Sequence, residues 1–358
     1  MNRLIQLLAG VLCFWLVLWR MAGDRWGWLG MLNAWAEWGI AALALLAVQA
    51  GWQQQWMRCA ALLGALAIGT EHYRVGNHQV GHHFSTDEQE QPRVDNASFR
   101  HTSRQDATFT IFSANLYKSN ASAIEHISMI QKHQPDVICL QELTPHLADE
   151  FLNVLGHIYR FKAWEPKSGA YGYGVLSRFP VEQTGAWVTP GVRAWGQRVR
   201  LTLTSLTSSE TSQDSGANEE RIELYNVHLL APTSSATLER GMTWGFRTRE
   251  QQMRFIQQEI KSREYPACVI GDHNFTPSSD IYQMTQETLR DSWQAVGQGF
   301  RWTWPTRAFP FKRLPWTPRL LCLDYCFHNE RLIPQTMQVL TARTGSDHCP
   351  LLVRFMVD

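Results

Sequence analysis

Charge of one sign is what the sequence lacks: 33 Lys and Arg stand against 32 Asp and Glu, a net charge of +1 over 358 residues. A protein that coats nucleic acid needs a basic excess, so that class is excluded, although an enzyme touching a few phosphates is not. The seven cysteines contain no Cys-x-x-Cys spacing, which argues against a zinc ribbon or a thioredoxin-like site. Their odd number leaves any disulfide framework incomplete. Cys13 and Cys59 fall in apolar runs, where thiols pack as small hydrophobes. No internal repeat is found. The length suits one large domain or two modest ones.

What is present is unevenly spread. Residues 1–70 hold long apolar runs: Leu4–Trp19 broken only by Gln6, Trp28–Val48 interrupted by Asn33 and Glu37, and Cys59–Ile68, which extends back to Trp56. Each is near or below the roughly 20 residues that span a bilayer core. Trp19, Trp26, Trp28, Trp52 and Trp56 sit at the run edges, where amphipathic rings favour the membrane interface. The segment therefore reads as about three hydrophobic transmembrane helices. Cleavage of residues 1–23 as a signal peptide is the alternative, because Asn2-Arg3 precedes an apolar core. Arg3 and Arg58 favour one side and Arg20 and Arg25 the other, so charge counting is nearly tied. Three spans and a cytoplasmic N-terminus would give a multi-pass inner-membrane protein with an exported C-terminal domain. The side flips if the second stretch lies in the interface.

Residues 71–106 are polar and aperiodic and read as a linker. Its His72, His78, His82 and His83 could meet a metal, but nothing in the pattern fixes their geometry. Residues 107–358 read as one folded domain, with a surface loop over Ser205–Glu220 between strand-like Arg198–Leu203 and Arg221–Val227. Further strands are expected at Thr108–Ala114, Val137–Leu140, Gly174–Ser177, Ile222–Val227, Ala267–Ile270, Leu321–Phe327 and Leu351–Phe355. Helices are expected at Ser122–Lys132, with Ile124, Ile127 and Ile130 at spacing three, and at Arg247–Ile260. Many strands with few helices between them suggest a two-layered sheet core with helices outside.

Polar residues recur at the ends of these strands: Asn115, Glu142, His228, Asp272 with Asn274, Asp324, and Ser346-Asp347-His348. Strand ends meet at a sheet edge, so distant residues can form one site. Carboxylates and amides are hard ligands that suit magnesium or manganese. The strings PDVICLQE (Pro135–Glu142), NVHL (Asn226–Leu229), GDHN (Gly271–Asn274), LDYCF (Leu323–Phe327) and SDHCPL (Ser346–Leu351) occur in order. Together they resemble the motifs of the endonuclease/exonuclease/phosphatase superfamily, over about Thr108 to Asp358.

The resemblance implies an α/β fold, a four-layer α/β/β/α sandwich, here preceded by the apolar helices. It implies Glu142 as the principal metal ligand with Asn115 beside it, and Asp347 supporting the metal or a second one. His228 and Asn274 would hold non-bridging phosphate oxygens, with Asn226 in the same motif as His228 also on the substrate side. Asp272 would orient or deprotonate water, and His348, oriented by Asp324, would act on the phosphate or the attacking group. The cofactor implied is Mg2+, with Mn2+ as the alternative. Such a set makes physical sense, because a cation and a histidine offset the charge that develops when an anionic phosphorus centre is attacked. One departure is His273, where the family usually has an apolar aromatic. Strand alternation turns it away from Asp272 and Asn274, as a packing variant.

The segment Arg301–Arg319 mixes basic residues with Trp302, Trp304, Phe309, Phe311 and Trp316. It could hold phosphates and stack bases, dip into lipid headgroups, or simply cover the sheet. Arg301 is counted with the substrate-binding groups. The sequence thus points to a membrane-anchored, metal-dependent phosphoesterase acting on nucleic acid or phospholipid, with the bilayer as a partner and no obligate protein partner evident. The alternative is a non-catalytic membrane scaffold that binds a phosphorylated partner. A transporter is poorly supported, since three short spans leave little room for a pathway.

Overall fold

The computed structural model describes residues 3–78, 107–188, 194–203, 220–306, 318–341 and 344–357. His82 and His83, most of the expected loop after Arg198–Leu203, and Phe309, Phe311 and Trp316 lie outside the described residues.

The N-terminal part forms helices α1 (Arg3–Ala22), α2 (Gly27–Asn33), α3 (Ala36–Trp52) and α4 (Trp56–His78). Helix α4 therefore continues past the expected start of the linker at Glu71. The stretch expected to run unbroken from Trp28 to Val48 is instead split, with α2 and α3 bent by 58°. Asn33 lies at the break. It donates to Gly23 O (3.0 Å) and Asp24 Oδ1 (2.9 Å) and accepts from Trp15 Nε1 at 3.0 Å. The helices pack through Trp15, Leu16, Trp19, Leu43, Ala47 and Leu62, while Leu4, Val11, Phe14, Leu45 and Val48 stay exposed. Among the described residues, by length and composition α1 alone suffices to cross a membrane; bent α2 and α3 make a second only if taken as one span, and the apolar part of α4 is short. The expected three separate spans are not supported.

The remainder is a sandwich of two sheets. Its elements are β1 (Thr108–Asn115), α5 (Ile124–His133), β2 (Val137–Gln141), α6 (Pro145–Leu155), β3 (Phe161–Glu165), β4 (Tyr173–Ser177), β5 (Val181–Val188), β6 (Ala194–Leu203) and β7 (Glu220–His228). Then come α7 (Ser235–Arg240), α8 (Met242–Lys261), β8 (Ala267–Asp272), α9 (Asp280–Gln286), β9 (Arg290–Asp291), α10 (Ser292–Val296), β10 (Gly297–Gln298), β11 (Asp324–His328), β12 (Leu332–Val339) and β13 (Leu351–Val357). One sheet runs β10-β12-β13-β1-β2-β4-β3 and the other β5-β6-β7-β8-β11-β9.

Strand alternation explains the layering. Phe109 and Ile111 of β1, Val137 and Cys139 of β2, Ile222 and Leu224 of β7, and Cys268 and Ile270 of β8 share one core between the sheets. Their neighbours face outward. Phe112, Ile138 and Leu140 pack under Ile127, Ile130, Leu147 and Phe151 of α5 and α6. Tyr225, Val227 and Val269 pack under Met253, Ile256 and Ile260 of α8. The result is α/β/β/α. Helix α6 begins where Thr144 caps the backbone N–H of Leu147 (3.5 Å) and Pro145 sets the first helical φ.

His126 of α5 is fully buried, and neither ring nitrogen has a hydrogen-bond partner. Burial lowers its pKa from 6.5 to about 3. The folded state thus binds this proton less readily than the unfolded state. The associated stability is complete above pH 6.5 and is lost as pH falls toward 3, at about 1.4 kcal/mol per unit. Substituting His126→Leu is expected to flatten the fall of the melting temperature between pH 7 and pH 5, by the equivalent of about 2 kcal/mol. An unchanged fall in thermal melts over that range would contradict this account of the residue.

Candidate active site

The inward rows that begin in the inter-sheet core end in polar groups at one edge. On β1 the row runs Phe109, Ile111, Ser113, Asn115; on β2 Val137, Cys139, Gln141; on β7 Leu224, Asn226, His228; on β8 Cys268, Ile270, Asp272. The ladder register aligns them. Asn115 pairs with Gln141 on one sheet; His228 and Asp324 both pair with Asp272 on the other. Asn115, His228 and Asp272 are thus the last residues of their strands, and Asp324 is the first of β11, which starts later than the expected Leu321.

Side-chain amides join the two sheets behind this edge. Gln141 Nε2 donates to Asn226 Oδ1 (2.6 Å) and Ser113 Oγ (3.1 Å). Asn226 Nδ2 donates to Leu140 O (3.1 Å), Gly174 O (3.3 Å) and Gln197 Oε1 (3.1 Å). Asn226, expected to bind substrate, is therefore sealed between the sheets with its amide committed to protein partners.

In front of that tie the functional groups converge. Asn115 Nδ2 donates to Asp272 Oδ2 (3.0 Å) and Glu142 Oε1 (3.3 Å). Its Oδ1 accepts from Tyr117 N at 3.0 Å, so its nitrogen faces the carboxylates. Asn115, expected as a metal ligand, acts in this geometry as a donor bridging two acids. Glu142 reaches the cleft because its backbone adopts φ 53° directly after β2, a left-handed geometry unusual outside glycine and concentrated at functional sites. Lys118 N holds Glu142 Oε2 at 2.6 Å. Gly271 also has positive φ, and a Cβ there would collide with the Val227 carbonyl, so glycine is needed where β7 and β8 close together.

His228 Nε2 lies 3.5 Å from Asp272 Oδ2 and 3.9 Å from Glu142 Oε1. His348 Nε2 lies 3.6 Å from the same Asp272 oxygen, and its Nδ1 is 2.8 Å from Asp324 Oδ2. Asn274 N donates to Asp272 Oδ1 (2.9 Å), and its amide is aimed by a 3.0 Å bond to Leu229 O. Burial pushes the Asp272 carboxyl above its ordinary value; His348, His228 and Asn115 oppose that and Asp324 adds to it. Burial works against charge on His348, yet Asp324, Asp272 and Asp347 outweigh it and hold the imidazole well above its ordinary value.

Two expected members have partners outside the cluster on Asp272. Asp347 Oδ2 accepts from Trp304 Nε1 at 3.3 Å, and Arg301 donates to Glu37 of α3. His273 points away, as alternation requires: it is buried against Phe275, Tyr325 and Phe327, bonded to Gly271 O at 2.9 Å, and burial lowers its pKa to about 4. Supporting groups to which the sequence reading gave no role include Ser346, whose Oγ donates to Asn115 O (2.7 Å) and accepts from His348 N (3.0 Å), and Thr303, whose Oγ1 accepts from Asp324 N at 3.3 Å. Ser346 stood in the quoted SDHCPL string. Thr303 carried no signal of its own.

A divalent cation can be tested against these donors. Asp272, Asp324 and His348 each offer a ligand atom within 4.8 Å of the others, but Asp324 and His348 already bind one another. Glu142 presents a carboxylate oxygen to the cleft beside Asp272. Among the described residues the set is hard, oxygen-rich and free of thiolate, so a cation of the magnesium type fits.

The model of one protein family matches residues 112–348, and its description is Endonuclease/Exonuclease/phosphatase family. The chain belongs to that family. Among solved structures, similarity extends to family proteins from Bacteroides thetaiotaomicron (TM-score 0.51, 15% identity, 71% of this chain and 99% of that one) and Bacteroides vulgatus (0.51, 15%, 70% and 100%). It extends also to D. rerio TDP2 complexed with single strand DNA product (0.50, 16%, 70% and 99%). At these identities the likeness concerns the fold. No curated protein matches the sequence.

For this family member, removing the Asp324 charge should expose its hold on His348. The neighbouring carboxylates raise the His348 pKa above its ordinary value, so activity that needs the cation is lost as pH rises through that raised pKa. Asp324→Asn is expected to lower the rate on the order of a hundredfold and to move the alkaline limb of the pH–rate profile down by about one unit or more. An unmoved alkaline limb would show that Asp324 does not set the charge of His348.

Proposed function

We propose that the chain is a divalent-metal-dependent phosphoesterase that hydrolyses phosphodiester or phosphomonoester bonds of nucleic acid or lipid headgroups and is held at a membrane by its N-terminal helices. The observation that carries this reading is the convergence of two imidazoles and an amide on the buried Asp272 Oδ2, with His228 at 3.5 Å, His348 at 3.6 Å and Asn115 at 3.0 Å. A structural ion pair needs no such crowd. A site that must accept a proton and face an anion does.

In this reading Glu142 would hold the cation, which supplies charge that offsets the build-up on the phosphoryl oxygens. Asp272 orients the attacking water and takes its proton as the water oxygen bonds to phosphorus and the P–O bond to the ester group breaks, that group leaving as an alkoxide that is protonated by water. Its buried, raised carboxyl suits it to that task. His348, charged and fixed in orientation by Asp324, donates to a phosphoryl oxygen from Nε2. His228 and the Asn274 amide bind the non-bridging oxygens. Asn115 keeps Glu142 and Asp272 from separating. The exposed outer faces of α1 and α3, with Trp26, Trp28 and Trp52 exposed near helix ends, support membrane attachment.

Hydrolysis of bis(4-nitrophenyl) phosphate by the full chain is expected to require Mg2+ or Mn2+ and to stop on chelation. Glu142→Ala and His348→Ala should each lower the rate about a hundredfold or more. Equal rates in all three proteins would overturn the site assignment. Tight phosphate binding with no turnover in the wild type would favour the non-catalytic scaffold.

A further inference from the structure

The N-terminal helices are docked on the edge of the sandwich that carries the candidate site. Ser278, four residues beyond Asn274, donates its hydroxyl to Asn33 O at 2.7 Å. Asp24 N donates to Asp280 Oδ2 (2.7 Å) and Asp280 N to Asp24 Oδ2 (3.0 Å). Gly27 N donates to Thr243 Oγ1 at 3.0 Å. Trp38 Nε1 donates to Leu320 O at 2.8 Å, four residues before Asp324.

The most unusual of these contacts involves Glu37. It is the one charged residue of α3, a helix otherwise made of apolar residues and a single Gln. A carboxylate in such a helix is costly unless it is paired. Glu37 accepts from the Arg301 guanidinium and, at 3.0 Å, from Trp302 Nε1. Trp38 beside it lies against the Trp302 ring at 5.2 Å, and Phe300 stacks on the Trp302 ring at 5.4 Å.

The next residues lead straight to the catalytic pair. Thr303 is fully buried. Its Oγ1 accepts from Leu323 N (3.1 Å) and Asp324 N (3.3 Å), and its carbonyl accepts from Cys349 N at 2.9 Å. Trp304 Nε1 reaches Asp347 Oδ2, and Thr306 N donates to Asp347 O at 2.9 Å. Residues 303–306 thus form a splint bonded on both sides of Asp324–His348, and its outer end is gripped by Glu37.

We infer that Glu37 is a positioning residue: through Arg301 and Trp302 it sets the 303–306 splint, so the N-terminal helices complete the active site rather than merely tether it. This rests on the phosphoesterase reading for its kinetic consequence, but its structural consequence is independent of that reading. A merely adhesive role for Glu37 would weaken docking without disturbing Asp324 and His348.

The test uses the full chain in dodecyl maltoside, as wild type, Glu37→Gln, Glu37→Asp and Thr243→Val; the last removes a docking contact remote from the splint. Two readouts are taken: kcat and KM for bis(4-nitrophenyl) phosphate, and amide hydrogen exchange in peptides covering 303–306, 320–326 and 345–350. Glu37→Gln is expected to lower kcat roughly tenfold or more with little change in KM and to speed exchange in all three peptides. Glu37→Asp should recover part of both, and Thr243→Val should change neither. Exchange at 320–326 and 345–350 that is the same in Glu37→Gln as in Thr243→Val would overturn the inference. Faster exchange in a protein whose wild type hydrolyses nothing would uphold the coupling and instead defeat the phosphoesterase reading.

Discussion

The structure depends on what happens where two facing sheets run out of apolar core. Each strand must alternate, so every inward row that contains Ile111, Val137, Leu224 or Ile270 continues inward to its end. Ser113, Asn115, Gln141, Asn226 and Asp272 are those ends, all buried. Polar groups there must be paired or they oppose folding. They are paired with one another across the gap, by Gln141 to Asn226 at 2.6 Å and by Asn115 to Asp272 at 3.0 Å. The seam that closes the sandwich and the wall of the cleft are the same set of hydrogen bonds.

That economy fixes the electrostatics. Asp272 is a buried acid with His228 and His348 on one oxygen, and its neighbours decide how much negative charge the cleft tolerates. Glu142, outside the ladder and turned back by its left-handed backbone, adds the second acid. The two carboxylates are held near a single amide nitrogen, a crowding that is unfavourable on its own and is relieved by a cation or by imidazolium. In the proposed reading, the scaffold thus prepares a place for positive charge next to a place for phosphate.

Much of this was legible in the sequence because period-2 strands write their ends plainly. The strands around Asn115, Gln141, His228 and Asp272 could be placed from apolar runs, and the outward turn of His273 followed from alternation alone. Where the geometry departs from expectation, the causes are specific. Asn226 shares a motif with His228 and, two residues earlier, faces the same way, but depth along the row decides whether a group meets solvent or the opposite sheet, and spacing does not encode depth. Asn115 was expected to offer oxygen; the Tyr117 N–H, a backbone group with no sequence signature, claims that oxygen. Arg301 was read with its basic neighbours, whereas its partner, Glu37, lies in an apolar helix far earlier in the chain. The break between α2 and α3 was also invisible, since a hydropathy run does not register a bend stabilised by Asn33.

The N-terminal helices meet the sandwich at the edge where chemistry is concentrated, so the molecule reads as one unit rather than a domain on a leash. The central claim remains that Glu142 and the two histidines share one cation-binding cleft. Titration of the full chain with Mn2+, followed through the ring resonances of isotope-labelled histidines, tests it most directly. The account predicts that His228 and His348 broaden first, ahead of buried His126 and His328, and that Glu142→Gln abolishes the selectivity. Uniform broadening of all histidines, or selective broadening that survives Glu142→Gln, would contradict it.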